Sequence, residues 1–188
     1  KNPSFAPRLM TTKSSFASGA FCGTYDGQDH MIANVKLLAG DYDGFFNSLY
    51  RAEVRNLKMS IRDNGVDTET CDPAYITDHT MAVFVGVARE STLQNLETVR
   101  GWTNGASEFK CYKDAAGIVG LVADGTVVSC VNNLDITFGT ANNRKGAGVV
   151  LLTQNGSQIV TITNCMNAGK IRCDSCASNG LGGILGLP

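Results

Sequence analysis

Gly117-Ile-Val-Gly120, followed by Asp124-Gly-Thr-Val-Val-Ser-Cys130-Val-Asn132, is the stretch that decides the fold. Its pattern returns as Gly148-Val-Val-Leu151 and then Ile159-Val-Thr-Ile-Thr-Asn-Cys165-Met-Asn167. Both run small residue, apolar pair, turn, β-branched run, Cys, any residue, Asn. Upstream, Gly44-Phe-Phe-Asn47 leads to Ala52-Glu-Val-Arg-Asn56-Leu57, and Val83-Phe-Val-Gly86 leads to Ser91-Thr-Leu-Gln-Asn95-Leu96. A last unit opens at Gly183-Ile-Leu-Gly186. Unit starts near 44, 83, 117, 148 and 183 are spaced by 39, 34, 31 and 35 residues. Fixed-period self-similarity of this size is the mark of a stacked repeat architecture.

Matched positions behave as columns. Val54, Leu93, Val127 and Ile162 form one apolar column, and Leu57, Leu96, Cys130 and Cys165 another. Asn56, Asn95, Ser129 and Asn164 form a polar column between them. The β-branched runs span four to seven residues between Gly and Asn, which is strand spacing; a helix would sustain three- and four-residue spacing for ten or more. Only Phe45 to Val54 would pass for a helical turn or two. A single unit cannot bury its apolar face alone, so units stack, ~4.8 Å apart, and pair in parallel. The expected fold is all-β: one right-handed parallel β-helix (β-solenoid) segment over residues 1–188, built from irregular 31–39 residue repeats. Residues 1–43 are a lead-in and first coil. Stacked amides are expected to hydrogen-bond along the Asn column, and Gly and Asn to supply left-handed corners. The long excursions fall at residues 60–80, 101–114, 137–147 and 172–182.

Composition agrees. The 188 residues hold 21 Gly, 15 Asn and 7 Cys but only 4 Pro and 1 Trp, a turn-rich inventory. Hydrophobic residues are 43% and charged residues 18%, which excludes a disordered chain. The net charge of -1 gives no footprint for nucleic acid. No apolar run approaches the ~20 residues of a membrane span. Lys1-Asn2-Pro3-Ser4 and the closing stretch 180–188 read as cuts, not natural termini.

Gly117-Ile-Val-Gly120 and Gly183-Ile-Leu-Gly186 are similar to the Gly-Leu-x-Gly core of the GLUG repeat. Phe21-Cys-Gly-Thr-Tyr-Asp26-Gly27-Gln-Asp-His30-Met-Ile32-Ala-Asn34 resembles the opening that precedes the first repeat of that family, with Asp29 where Gly is usual. The likeness covers roughly residues 21 to 188. It departs at Val83, at Asn47 and at Leu151, where a motif glycine is replaced. The resemblance implies a right-handed parallel β-helix in a large secreted or surface-anchored protein, often an adhesin. It implies nothing about ligand.

Seven cysteines leave at least one thiol without a partner in the chain. Cys71 with Cys111, both in predicted loops, is the expected disulfide. Cys173-x-x-Cys176 sits in a turn-rich stretch and reads as a structural loop pair, a disulfide to elsewhere, or a metal or redox pair; a zinc site would need a second close pair. Cys130 and Cys165, stacked in one column, are expected as buried reduced thiols. Asn155-Gly-Ser157 is a candidate glycosylation triplet.

The chemistry-bearing candidates are few. His30 and His79 each follow an aspartate, Asp29 and Asp78; His30 reads as a packing or turn residue, and His79 as a loop residue or ligand contact. Asp41 and Asp43 read as a turn or a calcium ligand pair; Asp67, Glu69 and Asp72 are the best acidic cluster in the longest loop. No other cofactor is expected. Trp102, Asn104 and Tyr112, with Glu108 and Lys110 between, combine an aromatic plane with hydrogen-bonding groups, as carbohydrate binding requires; alternatively Trp102 covers an edge. Arg55, Lys58, Glu97 and Arg100 read as ordinary solvated charges.

These readings together point to an extracellular or cell-surface structural and adhesive scaffold. Its side loops would contact glycans or other surface proteins, and it would self-associate through open coil edges as a homo-oligomer or filament. The alternative is a polysaccharide-processing enzyme of pectate-lyase-like type, which requires acidic and basic residues clustered on one sheet face. A passive spacer is the third reading.

Overall fold

The computed structural model describes residues 19–37, 42–66, 80–101, 107–111, 114–138, 145–154, 159–173 and 180–187. Among them there is no helix, and every strand pairing is parallel. Among the described residues no helix is long and apolar enough to cross a membrane.

Four sheets run along the stack. Sheet A joins β1 (Thr24–Asp26), β5 (Glu53–Val66), β8 (Thr92–Thr98), β12 (Thr126–Val128) and β17 (Thr161–Thr163), with β2 (Met31–Leu37), β13 (Val131–Asn132) and β18 (Met166–Asn167) alongside. Sheet B holds β3 (Tyr42–Asp43), β6 (Thr80–Ala82), β10 (Asp114–Ala116), β15 (Gly146–Ala147) and β20 (Leu181–Gly182). Sheet C holds β4 (Phe46–Tyr50), β7 (Val85–Arg89), β11 (Val119–Ala123), β16 (Val150–Gln154) and β21 (Leu185–Leu187). Sheet D is the shortest, with β9 (Glu108–Cys111), β14 (Asp135–Phe138) and β19 (Ile171–Cys173). The chain visits B, C, A and D in turn, then returns to B one layer on. We number the coils one to five by their sheet C strands. This arrangement is compatible with a β-helix and is not a closed barrel.

The register follows the repeat. Phe46, Val85, Val119, Val150 and Leu185 pair in sequence, each two residues past a unit start. Val54, Leu93, Val127 and Ile162 pair likewise, and the first three are fully buried. Fully burying each such side chain contributes roughly 1.5–3 kcal/mol, and stacking repeats the contribution in every coil. Phe46 to Tyr50, within the stretch that could pass for a helical turn, is a strand; the partners Val85, Val87, Ala88 and Arg89 decide it. Glu108–Cys111 and Ser60–Val66 are strands where loops were expected. Neither carries a long β-branched run, so pairing with β14 and β2 supplies what local sequence does not.

Two corners demand left-handed backbone. Asn56, Asn95, Ser129 and Asn164 have φ of 52°, 51°, 54° and 53°. Asn95 Nδ2 donates to Asn56 Oδ1 at 3.0 Å, and Asn56 Nδ2 donates to Asp26 Oδ1 at 3.0 Å. The second corner uses Arg51, Glu90 and Asp124, at φ of 50°, 47° and 54°. Asp124 is a residue type that tolerates this backbone, whereas Arg51 and Glu90 are not. Arg51 Nε donates to Glu90 Oε2 at 2.7 Å, one compensation for that backbone.

Inside the stack runs a polar ladder. Asn132 is fully buried; its Nδ2 donates to Leu134 O and to Asn167 Oδ1, both at 2.8 Å. Its Oδ1 accepts from Thr98 Oγ1 at 2.8 Å and from Leu134 N at 3.2 Å. The amide is satisfied on both ends, which is the condition for burying it.

Candidate functional site

The sequence candidates divide by location. Trp102, Asn104, Tyr112, Asp41, Asp67, Glu69, Asp72, His79, Cys71 and Cys176 lie outside the described residues. Asp43 pairs with Met81 in sheet B. His30 is exposed and its backbone N–H donates to Gly27 O at 2.8 Å, a turn bond. Cys111 corrects an expectation: it is a free, buried thiol, so the Cys71–Cys111 disulfide is not formed. The reason is its place on β9, where it faces the core against Phe138 instead of lying in a loop. Burial raises its pKa well above the usual thiol value, with Glu108 adding to the effect. Cys173 is disulfide-bonded, and Cys130 and Cys165 are both free.

Charges expected to be merely solvated are paired, across coils and along a strand. Arg55 Nε donates to Asp26 Oδ2 at 3.0 Å and its NH1 to Glu53 Oε1 at 2.8 Å. Lys58 Nζ lies 3.2 Å from Glu97 Oε2. On exposed sheet faces such pairs contribute little individually, up to about 1 kcal/mol.

One cluster differs, because its charges do not balance. Arg100, at the end of the segment that follows β8, donates through Nε to Asn133 O at 2.9 Å and through NH2 to Asp135 Oδ1. Arg172 NH2 lies 3.6 Å from Asp135 Oδ2, and Lys170 N donates to Asp135 Oδ1 at 2.9 Å. In sheet D, Asp135 is paired with Glu108, and Thr137 with both Lys110 and Arg172. Lys110 Nζ is 3.6 Å from Glu108 Oε2. Arg100, Lys110 and Arg172 thus share two carboxylates, Glu108 and Asp135, while Lys170 contributes its backbone N–H. Asp135 is 14% exposed, whereas Arg100, Arg172 and Lys110 are 45%, 51% and 71% exposed. The carboxylate is the buried anchor and the cations face solvent. Burial pushes the Asp135 pKa up, but the Lys170 N–H and the two guanidiniums outweigh it and hold the pKa below the ordinary carboxylate value. Thr137 Oγ1, beside Lys110 and Arg172 in the register, is buried with no hydrogen-bond partner among the described residues.

Chain connectivity ties this cluster to the aromatic candidates. Arg100 and Gly101 lead directly into residues 102–106, which include Trp102 and Asn104. Lys110 and Cys111 lead directly into Tyr112. Sequence reading missed Asp135 as the partner of Arg100, and Lys170 N and Arg172 as further partners of Asp135. The signal was present, since Arg100 and Asp135 are 35 residues apart, close to the coil period. Among the described residues no group of three His, Cys, Asp or Glu side chains could hold a metal ion.

No protein-family model, curated protein or solved structure matches the chain.

Proposed function

We propose that this chain is a right-handed parallel β-solenoid segment of a secreted or cell-surface protein, similar to GLUG-repeat proteins, that serves as an adhesive scaffold and binds acidic glycans. The observation that carries the reading is the cation excess around Asp135, at the base of the segments bearing Trp102, Asn104 and Tyr112. A carboxylated or sulfated sugar offers further anionic groups to Arg100, Lys110 and Arg172, three cations that share two carboxylates, and a ring face that an aromatic side chain can stack on. The Cys173 disulfide supports an oxidising setting. The proposal extends to self-association through coil edges, since a strand edge left open pairs readily with another chain.

The alternative, a pectate-lyase-like enzyme, draws support from the same cluster, where acids and bases share one sheet face. Binding and turnover separate the two. The test is affinity electrophoresis through polygalacturonate with wild type, R100E, and W102A/Y112A. Retardation of wild type that both variants lose supports the glycan site. Unchanged migration of all three removes it, and shortened polysaccharide supports the enzyme. Deleting residues 101–114 outright is a poor test, because it removes β9.

A further inference from the structure

The molecule carries a second chemical pair that the adhesive reading does not use. Cys130 and Cys165 occupy the same position in coils three and four, just before the paired residues Val131 and Met166. Met166 N donates to Cys130 O at 2.9 Å, which locks the two layers together at this point. The thiols point the same way: Cys130 Sγ donates to Val128 O at 3.4 Å and contacts Leu93 O at 3.8 Å, one layer below. Cys165 Sγ donates to Thr163 O at 3.3 Å and contacts Val127 O at 3.7 Å, again one layer below. Each therefore repeats the other's orientation one coil on. Adjacent coils at ~4.8 Å lie within the Cα separation that a disulfide spans.

Access is one-sided. Cys130 is fully buried, whereas Cys165 is only partly covered. We propose that Cys130 and Cys165 form an intercoil dithiol that low-molecular-weight disulfides oxidise to a disulfide, with Cys165 as the attacking nucleophile and Cys130 as the resolving thiol. The Cys165 thiolate is favoured first by the neighbouring Cys130 thiol, and further by the backbone N–H groups of Cys130 and Ser129. These outweigh burial and bring its pKa down to about 7. The same interaction holds the Cys130 proton on, so that its pKa is raised.

The chemistry balances with the oxidant named. The Cys165 thiolate attacks one sulfur of oxidised glutathione, forming a mixed disulfide and expelling one glutathione thiolate. Cys130, losing its proton to solvent, then attacks Cys165 Sγ and expels the second glutathione thiolate. The protein loses two protons and two electrons, and oxidised glutathione becomes two reduced molecules. The product staples coil four to coil three.

The experiment exposes the native protein to oxidised glutathione, quenches with iodoacetamide, digests without reductant, and maps peptides by mass spectrometry. The expected result is a cross-linked species joining the Cys130 and Cys165 peptides, about 2 Da lighter than the two thiol peptides together. C130A should stop at a glutathione adduct on Cys165, and C165A should leave Cys130 unmodified. Exposed Cys22, a free thiol with no stacked partner among the described cysteines, is the internal comparator. Two alkylated thiols at 130 and 165 in wild type would overturn the proposal. So would a wild-type Cys165 that halts at the glutathione adduct. The wild-type map decides without relying on either variant to fold.

Discussion

A Cβ added to Gly117 would lie 2.3 Å from Cγ of Asn132, so the small residue that opens the third coil admits the amide near its far end. The same relation recurs in the fourth coil, where a Cβ on Gly148 would lie 2.2 Å from Cγ of Asn167. The second coil replaces both partners at the equivalent positions: Val83 stands for Gly, and Thr98 stands for Asn. The repeat's first glycine and its Cys-x-Asn ending are therefore one steric device read at two places in the sequence.

Gly117→Ala should lower the urea midpoint by an amount equivalent to about 1–3 kcal/mol, the usual range for overpacking a filled core. Gly148 O also lies 2.3 Å from the added Cβ, so removing the amide relieves only part of the strain. The expected double-mutant cycle with Asn132→Ala shows a coupling of at least ~0.5 kcal/mol without full rescue. Strict additivity would mean that the two positions do not sense each other.

Asn132→Ala alone strips partners from Thr98 Oγ1 and from the backbone N and O of Leu134. Orphaning a buried polar group costs roughly 1–3 kcal/mol, so a loss of about 3 kcal/mol is expected by chemical denaturation. The exposed Asn95→Ala, which breaks one bond to Asn56, should cost about 1 kcal/mol.

The left-handed corner gives a prediction of opposite sign. Ser129 has φ of 54° in a column otherwise filled by asparagine. Ser129→Asn should raise stability by ~0.5–1 kcal/mol, because asparagine suits this backbone and continues the amide ladder from Asn95. Asn95→Val should cost ~1–2 kcal/mol at the same corner. Thermal melts of the two variants against wild type give the test.

Asp135 makes a pH-dependent contribution. Its folded pKa lies below the reference value of 3.8, so its stabilisation is present above that value and is lost as pH falls through the lower folded pKa. Asp135→Asn should therefore be less stable than wild type at neutral pH. The two should converge in melting temperature as pH falls toward 2. A constant gap between the two curves would contradict the assignment of that carboxylate as an ionised anchor.

Much of the stacking was legible in the sequence, because columns such as Val54, Leu93, Val127 and Ile162 repeat both residue type and spacing. The Asn corner was legible for the same reason. The Arg51, Glu90 and Asp124 corner was not, since Arg and Glu, two of its three side chains, give no compositional sign of left-handed backbone. Nor was β9, whose four residues owe their strand state to β14. Cys111 misled for that reason: placed in a loop, it invited a disulfide, whereas its side chain belongs to the core. The Asp135 cluster draws its members from three coils, and only the coil spacing connects Arg100 to Asp135 and Arg172.

The measurement that tests the central claim most directly is binding of the purified protein to a panel of acidic and neutral polysaccharides. It is read with and without calcium and across a salt series, for both retention and released product. The account predicts retention by acidic polysaccharides, weakening as salt rises, with no product released and with loss in Arg100→Glu. Equal retention by neutral polysaccharides, retention insensitive to salt, or release of shortened chains would contradict it.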